Sequence, residues 1–219
     1  MSNSPYKLHE TTPDALRAMR DHSSVYIANV LDVDVVVLPN VWSPLYDWSS
    51  KMAVQNLPDV RGRTFLEVGS GTGVISVFAA LKGAAAITAV DINPVAVANT
   101  NANLAAVGYI EANTFISDGF AAIDGKFDVI VWNAPYHGAP PKDILERGCT
   151  DDNYQDIRAF LKAAPKYLEQ NGILVFGFSE SGDLPLIREL LTESGLRFDK
   201  ELSETAEGYN CMLFFMRHT

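Results

Sequence analysis

The stretch that most constrains the fold is Thr64–Gly73, which reads T-F-L-E-V-G-S-G-T-G. Its first half, Thr64–Val68, is an apolar run of buried-strand length, β-branched at both ends and interrupted only by Glu67. It passes directly into a loop with Gly69, Gly71 and Gly73, and the small-residue apolar stretch Val74–Leu81 follows without a break. Strand, glycine loop and helix in this order are how α/β proteins hold nucleotide-like ligands. Glycines let the backbone turn sharply and approach a ligand with no Cβ in the way, and the start of the helix presents unpaired N–H groups. The spacing Gly69-x-Gly71-x-Gly73 differs from the dinucleotide G-x-G-x-x-G pattern, so the loop alone does not name its ligand.

Taken in order, the chain opens on a polar arm over residues 1–12. Thr12 and Pro13 then read as the cap and first turn of a helix reaching Arg20. Val25–Val30 and Val33–Leu38 are β-branched runs separated by Leu31-Asp32, a hairpin pattern. Pro39–Trp48 packs two prolines, two tryptophans and a tyrosine into a stiff aromatic loop, either a packed corner or the wall of a pocket. Ser49–Asn56 reads as a helix ended by Pro58. From Thr64 the pattern becomes strand and helix in alternation: strand Ala86–Asp91, helix Pro94–Ala106 capped by Asn93, strand Thr114–Ser117, strand Phe127–Trp132 and amphipathic helix Asp156–Leu168. Asn171-Gly172 is expected to turn the chain into strand Ile173–Phe178, followed by helix Leu184–Ser194. Arg197–Leu202 and Tyr209–Arg217 read as an antiparallel pair joined by the acidic loop Ser203–Gly208. Alternation of this kind predicts an α/β fold with a mainly parallel sheet and helices on both faces.

Ligands in such sheets sit beyond the carboxyl ends of the strands, which directs attention to the residues just after each one. Asp91 ends the second strand of the series, where a carboxylate can accept both hydroxyls of a ribose; helix capping, its alternative role, falls to Asn93. Ile92 stands where it would flank an adenine ring. Asp118 is placed to accept from an exocyclic adenine amine, with Phe120 over the ring, or else is a turn residue before Gly119. Glu67 is a carboxylate in an apolar strand and needs a partner there, a ligand cation or a loop N–H. The sharpest signal is Asn133-Ala134-Pro135-Tyr136, directly after the fourth strand. Pro135 biases Ala134 towards extended backbone, so the Ala134 carbonyl and the Asn133 amide oxygen can together accept both hydrogens of an –NH2 group, with Tyr136 as a flat face against a planar substrate. The alternative is a strand-ending turn with a buried tyrosine. His137 is either a base or a residue of the cleft edge; His9, His22 and His218 lie near the chain ends without a partner pattern, and no metal-ligand spacing is evident.

At 219 residues with 47% hydrophobic content, one compact domain with a short extension is the simplest organisation. A formal net charge of −10 argues against non-specific attraction to nucleic acid and suits a cationic small ligand or a basic protein partner. Cys149 and Cys211 are far apart and read as thiols of a reducing compartment. The N-terminal residues hold no apolar signal core, and the apolar stretch after Gly73 is broken by Lys82, Gly83 and Asp91, so a cytoplasmic protein without membrane association is expected.

With these motifs in place, the chain resembles the class I S-adenosylmethionine-dependent methyltransferases, and within them the small-domain group that includes HemK-like glutamine methyltransferases and amino-group N-methyltransferases of nucleic acids. The resemblance runs over about residues 36–217 and rests on E-V-G-S-G-T-G (Glu67–Gly73), D-I-N-P (Asp91–Pro94) with A-V-A-N-T-N-A-N behind it, S-D-G-F (Ser117–Phe120), N-A-P-Y (Asn133–Tyr136) and S-P-L-Y-D (Ser43–Asp47). It implies a Rossmann-like sheet of seven strands with a C-terminal antiparallel pair. It implies a methyltransferase domain over 59–219, preceded by an extension over 1–58 with a helix, a hairpin and a lid. It implies S-adenosylmethionine, with S-adenosylhomocysteine as product, held by Glu67, Gly69, Ser70, Gly71, Thr72, Gly73, Asp91, Ile92, Asn93, Asp118, Gly119, Phe120 and Asn133. Catalysis falls to Asn133, Ala134, Pro135 and Tyr136, and the substrate to Trp42, Pro44, Tyr46, Asp47, Trp48, Tyr136 and His137.

The implied reaction moves the methyl group to an acceptor nitrogen of a small molecule or protein side chain. An exocyclic amine of RNA or DNA, or a non-catalytic cofactor-binding role, stands as the alternative. Two departures stand out: Ala134 replaces the first proline of the family's N-P-P-Y, removing stiffness there, and Trp48 occupies a position often small and polar. The chain also leaves no room for the separate recognition domain usual in release-factor methyltransferases.

Overall fold

The computed structural model describes residues 10, 12–206 and 208–219. The arm expected over residues 1–12 falls outside the described residues at 1–9 and at 11, as does His9. Helix α1 (Thr12–Asp21) is followed by the hairpin β1 (Tyr26–Val30) and β2 (Val33–Val37), then α2 (Ser49–Gln55). The alternating part comprises β3 (Thr64–Val68), α3 (Val74–Leu81), β4 (Ala86–Asp91), α4 (Pro94–Ala106), β5 (Asn113–Ile116) and β6 (Phe127–Asn133). It continues through α5 (Gln155–Tyr167), β7 (Leu168–Ser179), α6 (Leu184–Glu193), β8 (Leu196–Ala206) and β9 (Tyr209–His218). The hairpin turns at Leu31 and Asp32, both at left-handed φ (49° and 65°), the two-residue geometry that matches strand twist.

Among the described residues seven strands form one sheet in the order β5-β4-β3-β6-β7-β9-β8, and β1-β2 form a second, two-stranded one. Strands β5, β4, β3, β6 and β7 are mutually parallel; β9 runs antiparallel between β7 and β8. The chain walks outward from β3 to β5 and returns beside β3 as β6, so the order reverses between β3 and β6. In open α/β sheets that switch point opens a crevice at the carboxyl ends of the two strands. Here those ends carry the glycine loop and Asn133.

Side chains alternate across the sheet and feed two cores. Ile130 and Trp132 of β6 join Phe160 and Leu161 of α5 and Leu190 and Leu191 of α6 on one face. Val129 and Val131 join Met52 of α2, Val77 of α3, Leu104 of α4 and the hairpin residues Val35 and Val37 on the other. The hairpin is bonded to α4 by two buried asparagines: Asn99 and Asn103 accept from the Leu38 and Val36 N–H groups, both at 2.8 Å, and donate back to the Val36 carbonyl. None of the described helices is long and apolar enough to cross a membrane.

Two boundaries differ from expectation by more than one residue. Asn171-Gly172 is no turn: β7 starts at Leu168, and the pair lies inside a register shift between Phe127↔Leu168 and Val129↔Ile173. Of the acidic loop, Ser203–Ala206 is strand, because β9 supplies a partner for each residue from Ser203↔Met212 to Ala206↔Tyr209. Pairing across the sheet overrides the low strand propensity of acidic residues.

Candidate active site

On the β3 side, the loop from Gly69 to Gly73 is fixed by its backbone. A Cβ at Gly69, where φ is 62°, would lie 2.9 Å from Nε1 of Trp132; one at Gly73, where φ is 74°, would lie 2.6 Å from Cγ2 of Thr100. The loop is pinned on several sides. Ser70 N–H donates to the Val90 carbonyl at 3.0 Å, Thr100 Oγ1 to Ser70 Oγ at 2.8 Å, and Asn103 Nδ2 to the Thr72 carbonyl at 2.9 Å. The Asp91 carboxylate accepts from Gly71 N–H and Asn93 N–H, both at 2.8 Å. Burial pushes its pKa up, and those backbone donors oppose the shift.

Glu67 is buried and its carboxylate takes the N–H and hydroxyl of Ser76 in the first turn of α3, the N–H at 2.8 Å. A backbone N–H, one of the partners expected for this acid, is met on the helix rather than the loop. Burial raises Glu67 to about 8. Asn93 caps α4 as expected, accepting from Val95 N–H at 2.9 Å, and its Nδ2 reaches the Asn40 carbonyl. Beyond β5, Asp118 remains largely exposed, 3.7 Å from the Arg147 guanidinium. Phe120 is stacked on Tyr167 and Phe160 at centroid distances of 4.3 and 4.8 Å.

On the β6 side, the Asn133 side chain ends between two hydroxyls: its Nδ2 donates to Ser49 Oγ at 2.8 Å and its Oδ1 accepts from Tyr136 Oη at 3.2 Å. It lies over Gly177, where a Cβ would come within 2.6 Å of Oδ1. The stiffness expected to be lost at Ala134 is supplied another way: Ala134 N–H, which a proline would lack, donates to the Gly177 carbonyl at 3.1 Å. The Tyr136 carbonyl accepts from Tyr154 Oη at 3.0 Å, and Gly182 packs so tightly against it that a Cβ there would lie 2.0 Å away. Burial pushes the Tyr136 hydroxyl well above its usual range, so it stays a neutral donor. His137 is buried, with Nε2 3.0 Å from Thr12 Oγ1 and its backbone paired to Cys149 and Asp151.

The two sides face one cavity of about 840 Å³, within the size range of small-ligand sites. Of the residues singled out in the sequence, only Gly73 and Trp48 do not line it. Trp48, expected in the pocket wall, turns its ring towards Tyr209 at 6.3 Å and packs into the core beside α2. Trp42 and Asp47 do line the cavity but are bonded to each other, Nε1 to Oδ2 at 3.1 Å, and Tyr46 Oη is bonded to His22 at 2.6 Å. Sequence reasoning missed Ser49, Tyr154, Gly177, Gly182 and the wall formed by α1, whose Ala15 and Ala18 face the cavity. A glycine inside a buried strand, Gly177, is itself a sign of close backbone approach; Ser49 carries no such sign.

A doubly wound sheet with a backbone-fixed glycine loop, a carboxylate at the end of the next strand and N-A-P-Y at the switch point defines the class: an S-adenosylmethionine-dependent methyltransferase. The family model described as "Methyltransferase small domain" matches residues 32–193, and the chain belongs to that family. A protein of Methanocaldococcus jannaschii, provisionally named a protein N5-glutamine methyltransferase, is 32% identical over 171 residues, covering 75% of this chain and 85% of that protein. The ribosomal RNA small subunit methyltransferase C of Vibrio vulnificus is 31% identical over 145 residues, 65% of this chain but 39% of that enzyme, so the chain spans about two fifths of such relatives. Among solved structures, a T. thermophilus 16S rRNA N2 methyltransferase in complex with AdoMet and guanosine aligns with a TM-score of 0.66 at 23% identity, over 89% of this chain and 50% of that one.

Proposed function

We propose that this chain transfers a methyl group from S-adenosylmethionine to an acceptor nitrogen, and that the acceptor is a planar amide of a protein side chain, glutamine foremost. The observation that carries the reading is the placement of Asn133 and Ala134 at the end of β6, lining the same cavity as the glycine loop at the end of the neighbouring β3. The residues present fit the cofactor. Gly69 and Gly71 offer backbone without a Cβ, Asp91 keeps acceptor capacity for a ribose beyond the Gly71 and Asn93 N–H groups, and Ile92 with Asp118 borders the space for the adenine. When bound, S-adenosylmethionine supplies a sulfonium methyl whose leaving group is neutral, so no general acid is called for. The protein's share is alignment. Asn133 Oδ1 and the Ala134 carbonyl hold the N–H groups of the acceptor and stabilise the positive charge that develops there. Tyr136 offers its ring to the planar group.

The extension over 1–58 enters this reading as the outer wall: α1 and the loop around Pro44–Asp47 bound the acceptor end. Relatives named for ribosomal RNA favour a second reading, an exocyclic amine of a base. The cavity chemistry weighs against it. Asp14, Asp47, Glu67, Asp91, Asp118 and Asp156 line the space, and among the described residues the lysine and arginine contribution is Arg147 alone, itself 2.9 Å from Asp156. Phosphate-bearing substrates call for the opposite charge. The test is tritium transfer from labelled S-adenosylmethionine to glutamine-containing peptides and, in parallel, to 16S ribosomal RNA. Label on the peptide amide supports the reading; label on the RNA alone replaces it with the second.

A further inference from the structure

We infer that Tyr154 is a positioning residue for the acceptor, a strut whose hydroxyl holds the Asn133–Tyr136 turn against the start of α6. The inference rests on the reading of that turn given above and deepens it. Tyr154 is among the largest side chains that the fold buries completely, at 1% exposure. Its hydroxyl donates to the Tyr136 carbonyl at 3.0 Å and accepts from Asp183 N–H at 2.9 Å. A phenol can do both at once. Tyr136 ends the turn, and Asp183 caps α6 through its carboxylate, which accepts from Leu186 N–H at 3.1 Å. One oxygen atom therefore ties the acceptor turn to a helix whose cap lies 29 residues beyond Tyr154. Gly182 presses on the same carbonyl, and a Cβ there would also meet Cζ of Phe178 at 2.6 Å.

Tyr154 reaches this place through a strained turn. Asn153 and Tyr154 both stand at left-handed φ, 52° and 56°. Asparagine tolerates that region, but a bulky aromatic residue in it is an outlier. Such strain persists only where the surroundings over-determine it, and here several bonds do so. Asn153 N–H donates to the Gly138 carbonyl and Tyr154 N–H to the Asp151 carbonyl, both at 2.9 Å. The buried Asp151 carboxylate accepts from Asp156 and Ile157 N–H in the first turn of α5, at 3.0 and 2.9 Å. Asp151 N–H returns to the His137 carbonyl at 2.8 Å. The segment that leaves the turn at His137 is thus folded back until Tyr154 grips the carbonyl from which it set out. The loop so closed carries Ile144, Leu145 and Arg147 into the cavity wall, so that wall and turn are held in one register. Pro135 fixes its own φ, Ala134 N–H is bonded to the Gly177 carbonyl, and Tyr154 supplies the third fixed point of the turn. In a segment with alanine where N-P-P-Y has proline, this hold takes over part of what the missing ring would do. Alignment of an acceptor with a methyl group is sensitive to displacements of about 1 Å, which is where such a strut acts.

The test is Tyr154→Phe in the whole chain, which removes the hydroxyl and keeps the ring. Native-state amide hydrogen exchange reads the hold without any acceptor. In the wild type the Asp183 amide is protected. In the variant the Asp183 and Ala134 amides lose about tenfold in protection, the worth of one hydrogen bond, while the amides of β3 and β9 keep theirs. Kinetics with labelled S-adenosylmethionine are run on whichever of the glutamine peptide or 16S ribosomal RNA takes label. They show kcat about tenfold lower, with KM for S-adenosylmethionine and calorimetric affinity for S-adenosylhomocysteine unchanged. A residue that served stability alone would lower protection evenly over the chain and leave the kcat of the folded protein intact; either result overturns the inference. So does an unprotected Asp183 amide in the wild type, a result that stands whether or not the variant folds. Failure of the reading of Asn133 shows separately, as turnover retained in Asn133→Ala.

Discussion

The glycine loop and the N-A-P-Y segment line one cavity from the ends of two neighbouring strands and are held by different means. The loop is secured from within a short piece of sequence: β3, α3, β4 and α4 supply every contact named above except the Trp132 ring over Gly69. The N-A-P-Y segment is secured from afar. Its partners are Ser49, 84 residues before Asn133, and Tyr154, Gly177 and Gly182 after it. The wall facing it is α1, clipped to the segment after His137 by Arg20, which meets Asp143 at 2.7 Å and Glu146 at 3.1 Å. On the proposed reading, the cofactor side is therefore a local unit that can be kept while the acceptor side is rebuilt.

If that contrast holds, changes on the loop side should damage fold and cofactor affinity together, and changes on the other side should damage the handling of the acceptor alone. The largest expected effect is that of Gly73→Ala, which combines a left-handed φ with a 2.6 Å clash against Thr100 and should cost on the order of a few kcal/mol of stability. Denaturant unfolding and titration with S-adenosylhomocysteine check it; normal affinity in a folded variant would break the contrast.

Next comes Glu67. The folded chain holds its proton up to about 8 against an ordinary 4.5, so the native state binds more protons than the unfolded state between those values. Stability therefore falls as pH rises across that window. Glu67→Gln should flatten this fall, measured by denaturant unfolding at the two ends of the window; an unchanged slope would mean that the buried carboxylate is not its source.

The smallest expected effect is that of Arg20→Ala. Arg20 is nearly half exposed, but Glu146 is buried and keeps a long, exposed partner in Lys142 at 3.7 Å. A loss of about 1 kcal/mol is expected, with KM for the acceptor raised and affinity for S-adenosylhomocysteine untouched. An equal loss of cofactor affinity would show that α1 belongs to both sides.

The same contrast governs what the sequence made legible. Thr64–Gly73, Asp91, the Asn93 cap and the hairpin turn at Leu31-Asp32 could be read because each is a pattern over a few consecutive residues, set by local sterics and capping. The acceptor side could be read only where it is local, at Asn133–Tyr136. Ser49 looks like any residue opening a helix, and only the folded chain brings its hydroxyl to Asn133. Trp48 departs from expectation because an aromatic loop does not announce which ring turns to the core. The strand over Ser203–Ala206 was hidden for a like reason, since its hydrogen bonds come from β9.

The most direct measurement of the central claim is Asn133→Ala, assayed for turnover on the acceptor labelled in the transfer experiment and for calorimetric affinity towards S-adenosylhomocysteine. Loss of one preorganised polar group should lower turnover by about 10²-fold while the glycine loop and Asp91 keep the affinity of the wild type. Turnover close to wild type would contradict the assignment, and so would a fall in turnover matched by an equal fall in affinity.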